Sequence, residues 1–299
     1  MRKCFECDAD WHEKIQNSSG ETTVKLAICN ETFQDWPFEK AFAFAADCGY
    51  AGIEFAPFTM AADATQISSS RRAEVRKQAE DAGLEVVGLH WLLAKTEGFH
   101  ITSPDAEVRR RTTDYLKELV RLCVDLGGKV MVFGSPQQRN LLPGVSHDQA
   151  MEYAAEVFGR LVPTLEASEV VVALEPLGPQ ETTFLVTTAE AVALAERIGS
   201  PQVRLHLDCK AMVTEPTPPA DLIRRYHQLT AHFHANDPNR QGPGMGHLDM
   251  RPILEALGEV DYRGWVSVEV FDYSPGVERL ARESIENLRR CLAELAGDY

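Results

Sequence analysis

Four stretches in the second half of the chain decide its fold: VVVALEP (170–176), VRLHLD (203–208), TAHFHAND (230–237) and WVSVEVF (265–271). Each is a short apolar run that ends in, or just before, a residue able to bind a metal: Glu175, Asp208, His234 and Glu269. The gaps between these residues are 33, 26 and 35 positions, about the length of a strand and its return helix. Parallel strands joined by helices deliver their C-terminal ends to one side of the sheet. In a closed barrel those ends converge on one point. Three carboxylates and one imidazole suit Mn²⁺, Mg²⁺ or Zn²⁺ better than an ion that prefers thiolates. A single acid at a strand end is often a helix cap or a loop charge. Four, at the same point of four consecutive units, are hard to obtain by chance.

The same grammar extends towards the N-terminus. VKLAIC (24–29), AGIEFAP (51–57), EVVGLHW (85–91) and KVMVFGSP (129–136) read as strands. The helices between them carry start and stop signals. One runs from about Pro37 to Cys48 and stops at Gly49. A second is capped by Ser68–Ser70 and ends near Gly83, and a third opens at Ser103-Pro104-Asp105 and ends at Gly127-Gly128. From His147 to about Ala167, the apolar positions Ala150, Ala154, Val157 and Leu161 keep a helical period. Helices are further expected at 188–198, at about 222–229 behind the proline-rich EPTPPADL, from a cap at Asp249 to Gly258, and at 277–295. Eight strands alternating with eight helices predict an α/β fold, a (β/α)8 TIM barrel, as a single domain over 24–299. A doubly wound open sheet is the fallback, but its early glycine-rich phosphate turn is not visible.

Residues 1–23 are polar and aperiodic and read as a flexible N-terminal extension. They contain no apolar h-region and the chain has no run of about 18–20 apolar residues, so a cytoplasmic protein without a membrane partner is expected. The seven cysteines are scattered, which fits reduced thiols; Cys4 and Cys7 form a lone CxxC, read as two ordinary thiols. The net charge of −15, from 45 acids against 30 bases, repels phosphate backbones and argues against nucleic acid as a partner. A small-molecule substrate is the better match.

Strand alternation puts His206 on the face of Asp208, and His232 on that of His234, one layer deeper. The deeper pair reads as core or supporting imidazoles. Glu54 and His90 end the second and third strands and are candidates to line the pocket mouth and touch substrate. Trp91 and Phe58 are candidates for an apolar wall, and Ser135 and Gln137 for contacts to hydroxyls. His100 and His247 read as exposed loop residues, and Trp36-Pro37 as a helix start.

The segments LEPLGPQET (174–182), HLDCKAM (206–212), HFHANDPNR (232–240) and SVEVF (267–271) resemble the xylose-isomerase-like barrels. That superfamily includes ketose 3-epimerases, hydroxypyruvate isomerases and inosose dehydratases, and the resemblance covers roughly residues 24–296. It implies that Glu175, Asp208, His234 and Glu269 hold one divalent cation, commonly Mn²⁺, with Mg²⁺, Zn²⁺ or Co²⁺ as alternatives. It implies that Arg240 contacts substrate oxygens and that Glu181 supports the site. One departure stands out: where epimerases and hydroxypyruvate isomerases carry a histidine, three residues after the aspartate, this chain has Ala211. The neighbouring Lys210 is then a candidate for the missing positive charge at the substrate.

The implied reaction is isomerisation or epimerisation of a small keto-sugar or polyol through a metal-stabilised enediolate, with Glu175 and Glu269 as acid and base. The alternative on the same scaffold is a lyase that eliminates water or an aglycone from a keto-sugar, inosose or 3-keto-glycoside. A DNA-repair nuclease conflicts with the charge, and a non-catalytic sugar-binding barrel with the intact quartet. Without a lysine–arginine cluster an unphosphorylated substrate is favoured. Barrels of this type often pair, which keeps a homo-oligomer open.

Overall fold

Short runs rich in Val, Ile, Leu and Phe form the strands of the computed structural model, which describes residues 24–297. The extension expected at 1–23, with Cys4 and Cys7, lies outside the described residues. The strands are β1 (Lys25–Cys29), β2 (Gly52–Phe55), β3 (Glu85–Leu89), β4 (Val130–Phe133), β5 (Val171–Leu174), β6 (Val203–Asp208), β7 (Thr230–Ala235) and β8 (Trp265–Val268). Each pairs in parallel with the next, and β8 pairs with β1 to close the barrel. The eight-stranded barrel expected from the sequence is therefore what forms.

The barrel helices are α1 (Phe38–Cys48), α2 (Ser69–Asp81), α3 (Ala106–Leu126), α4 (His147–Ser168), α5 (Thr188–Ile198), α6 (Pro219–Tyr226), α7 (Arg251–Glu259) and α8 (Val277–Gly297). Their ends follow local chemistry. Ser68, Asp105, Ser146 and Thr187 each accept a backbone N–H in the first turn, a cap worth about 1 kcal/mol. Gly49 and Gly127 close α1 and α3 in the left-handed conformation, at φ 97° and 92°, which glycine adopts without a Cβ penalty. Two helices begin elsewhere than expected. α6 starts at Pro219, three residues early, because Pro218 is extended and Pro219 suits the first helical position. Met250 is the N-cap of α7, while Asp249 accepts from Arg251 N at 3.0 Å. Among the described residues no helix is long and apolar enough to cross a membrane.

The aliphatic core lies between sheet and helices. Ile53, Phe55, Leu205, Leu207, Phe233, Val266 and Val268 are buried there. The alternate positions place Glu54, His206, His232, His234 and Ser267 together, all buried, so this barrel is filled with polar rather than branched side chains at that level.

Candidate functional site

Asp208 and His234 are Cα partners across β6 and β7, and His234 pairs with Ser267 on β8. Glu175 and Glu269 follow one residue after β5 and β8. All four side chains converge. Donor atoms of Glu175, His206, Asp208 and His234 lie within 4.8 Å of one another, and Glu269 Oε2 is 3.0 Å from His234 Nδ1. His206, expected as a core or supporting imidazole, joins this cluster with Nε2 3.9 Å from Glu175 Oε1. Neither of its ring nitrogens has a hydrogen-bond partner. Buried imidazole nitrogens without partners are costly. Beside a cluster of hard carboxylate donors they are the chemistry a divalent cation completes, so the donor set fits one.

Asp208 is fixed from both sides. Its Oδ1 accepts from Ala211 N at 2.8 Å, capping a single helical turn over Cys209–Met212, and its Oδ2 accepts from Asn236 Nδ2 at 2.5 Å. The same Asn236 accepts from Lys210 N at 2.8 Å, which sets the course of the loop that carries Lys210.

Two glutamates in one buried cluster are driven apart in acidity. Burial, then the charges of Glu269 and Asp208, push the Glu175 carboxyl up to about 8. Burial also raises Glu269, but the facing His234 and its hydrogen bond outweigh it and hold Glu269 below the ordinary carboxylate range.

These residues border a cavity of about 390 Å³, lined by Glu175, Glu269, Trp91, Phe271, Ser135, Gln137, Glu181 and Arg240. That lies within the range of small-molecule sites. Phe58 stands behind Trp91, ring centroids 5.6 Å apart. Arg240 adopts a left-handed φ of 72°, and its carbonyl accepts from the backbone N–H groups of Phe271 and Asp272, both at 2.8 Å. The loop after β7 is thereby stapled to the one after β8. Lys210 does not line the cavity itself; its ammonium pairs with Glu181 and lies 4.9 Å over the Phe271 ring.

Glu54 and His90 take a different place from the pocket mouth expected for them. Both are buried inside the barrel and neither lines the cavity. His100 is half-buried against Thr102, His247 is exposed, and Trp36 packs on Phe33 and Phe44. The sequence reading also passed over Arg139 and Glu31. Arg139 is fully buried and donates to the Glu175 carbonyl at 2.6 Å, leaving Nε and one Nη without partners. Burial lowers its guanidinium to about 10 against the pull of Glu175 and Glu181. Nothing in the segment SPQQR announces a buried cation. Glu31, two residues after β1, carried a weak signal as an acid following an apolar run.

Residues 42–291 match the profile of the family described as xylose isomerase-like TIM barrel. A D-psicose 3-epimerase of Enterocloster bolteae is 28% identical over 200 residues, 66% of this chain and 65% of that protein. The chain thus spans about two thirds of the length of that relative. A probable ketose 3-epimerase of Synechocystis is 25% identical over 271 residues, 84% of this chain and 90% of that protein. Among solved structures, a D-psicose 3-epimerase crystallised in the presence of D-fructose superposes with a TM-score of 0.80 at 23% identity, over 90% of this chain and 99% of that one. That last likeness is one of fold.

Proposed function

Because the chain belongs to the xylose isomerase-like TIM barrel family, we propose that it is a divalent-metal-dependent epimerase or isomerase of a small keto-sugar or polyol. One observation carries this reading: Glu175, Asp208, His234 and Glu269 converge in one buried cluster, and its two glutamates stand on the wall of a cavity of about 390 Å³. The names of the relatives, D-psicose 3-epimerase and probable ketose 3-epimerase, support the same class.

The chemistry required is removal of a proton from a carbon next to a carbonyl and its return to the same or the adjacent carbon. The residues that would hold the cation are Glu175, Asp208, His234 and Glu269, and a bound Mn²⁺, or Mg²⁺, Zn²⁺ or Co²⁺, supplies positive charge that offsets the developing negative charge on the substrate oxygens. Glu175 and Glu269 form the acid/base pair: each would give one oxygen to the cation and aim the other at the substrate, one taking the proton and the other returning one. Arg240 and Glu181, the latter held by Lys210 behind the cavity wall, bind the sugar oxygens, and Trp91 with Phe271 gives the apolar wall that excludes water. Elimination of water, the alternative on this scaffold, has no support among the relatives above. The described cysteines are all free, in keeping with a protein of the reducing cytoplasm.

The test is incubation with a panel of unphosphorylated ketopentoses and ketohexoses, with Mn²⁺, in D₂O. The expected result is a product of unchanged skeleton carrying one solvent deuterium, lost after chelation and restored by Mn²⁺. A product lighter by one water, or turnover that survives complete removal of metal, rejects the reading.

A further inference from the structure

Beneath the quartet lies a layer of buried ionisable groups that the acid/base reading does not use. At its centre is Glu54 of β2, 1% exposed. Its Oε2 is 2.8 Å from His232 Nε2, and both its oxygens are 3.3 Å from His234 Nε2. Oε1 also stands 3.7 Å from His90 Nδ1, and His90 Nε2 is 2.7 Å from Glu31 Oε2. The other nitrogen of His234, Nδ1, faces Glu269 at 3.0 Å. One imidazole is thus gripped from below by an interior carboxylate and presented above to the quartet.

A carboxylate buried this deeply is costly unless it is paired, and three imidazoles from β7 and the β3 end surround this one. Histidine binds a cation only through a nitrogen that carries no proton. A carboxylate that accepts from the opposite N–H decides which nitrogen that is, and fixes the ring rotation as well. We propose that Glu54 is a positioning residue for the metal site: it holds His234 through Nε2 so that Nδ1 offers its lone pair to the cation. His232 holds Glu54 in turn by a hydrogen bond, and His90, braced by Glu31, stands beside it. The inference rests on the reading of Glu175, Asp208, His234 and Glu269 as cation ligands.

The experiment compares Mn²⁺ binding by calorimetry in the wild type and Glu54→Gln, with the melting temperature of each metal-free protein. Outer carboxylates that hold a ligating histidine are worth about 10–100-fold in metal affinity, and a loss of that size is expected in the variant. A loss smaller than fivefold overturns the role of Glu54, as does a lowered melting temperature with unchanged affinity, which marks a purely structural carboxylate. Failure of the wild type to bind Mn²⁺ instead overturns the metal reading itself. If Glu54→Gln does not fold, Zn²⁺-loaded wild type with ¹⁵N-labelled histidine decides. His234 protonated at Nε2 and metal-shifted at Nδ1 supports the proposal; the reverse assignment overturns it.

Discussion

The indole Nε1 of Trp91 donates a 2.6 Å hydrogen bond to Oε1 of Glu269, joining the turn after β3 to the carboxylate after β8. The second oxygen of Glu269 faces His234 Nδ1, so both ends of the carboxylate are held. Trp91 achieves this from a left-handed backbone at φ 50°, a conformation that costs a non-glycine residue about 1 kcal/mol or more. Its ring is stacked on Phe271 at 5.9 Å, which helps keep it there. Trp91→Phe preserves the wall and removes the donor. A hydrogen bond to a charged group is worth about 1.5–3 kcal/mol. The expected result is a fall in kcat of about 10–100-fold with KM changed less than threefold, measured by steady-state kinetics. An unchanged kcat would free Glu269 from any dependence on the indole.

Gly134, just after β4, is a place where a side chain has no room. A Cβ built there runs into Oε2 of Glu175. The obstacle is the far end of a side chain, so Gly134→Ala is expected to fold with a melting temperature within a few degrees of the wild type while displacing the Glu175 carboxylate. Loss of general acid–base function is worth about 10²–10⁴-fold, and turnover is expected to drop by about 100-fold or more, with weaker Mn²⁺ binding. Near-native turnover in Gly134→Ala would show that Glu175 can act from a shifted position.

Tyr50, 4% exposed, donates its phenol to the Ala281 carbonyl at 2.7 Å and ties the start of β2 to α8. Burial, reinforced by Cys48, raises the phenol well above its ordinary value of 10. Because the folded value is the higher one, the stability contributed by this phenol is fully present below pH 10, where the unfolded chain also keeps its proton. It is lost as pH rises from there through the folded value. Tyr50→Phe is therefore expected to cost about 1 kcal/mol at pH 8, and the deficit should shrink above about pH 10. Urea unfolding of both proteins at pH 8 and pH 10.5 measures it; a deficit that does not change with pH contradicts the assignment.

The quartet was legible because its signal is one-dimensional: an apolar run, a ligating residue, a return helix, repeated. Helix ends at Gly49, Gly127 and Ser68 were legible for the same reason, since caps act over three or four residues. Depth was not. Glu54 is level with Cys29 on β1 and with Gly88 on β3, and a register shift falls between Ile53 and Glu54. Glu54 also lies one residue before the end of β2 at Phe55, so it sits inside the barrel and not at its mouth. EVVGLHW overran its strand because ladder pairing stops at Leu89, leaving His90 and Trp91 in the turn. Arg139 was hidden because its burial depends on Glu175, which arrives from the next strand 36 residues on, as well as on the nearby Phe133.

Ala211 leaves no imidazole three residues after Asp208, and the neighbouring Lys210 takes a defined course. Its side chain is 13% exposed, paired with Glu181 and set over Phe271. Burial lowers the ammonium's affinity for its proton, but Asp208 and Glu181 outweigh this and raise it, so the charge is kept. Lys210→Met keeps the stem and removes that charge from behind the cavity wall formed by Glu181 and Phe271. If the pair binds a sugar hydroxyl, the loss of one charged hydrogen bond, about 1.5–3 kcal/mol, raises KM by roughly tenfold or more while the melting temperature stays within a few degrees. Glu181→Gln is expected to do the same. Because each residue holds the other in place, the double variant should be little worse than either single one. A double-mutant cycle on kcat/KM reads this directly: effects that simply add would mean that Lys210 and Glu181 meet the substrate independently, and an unchanged KM in Lys210→Met would remove the lysine from the substrate site.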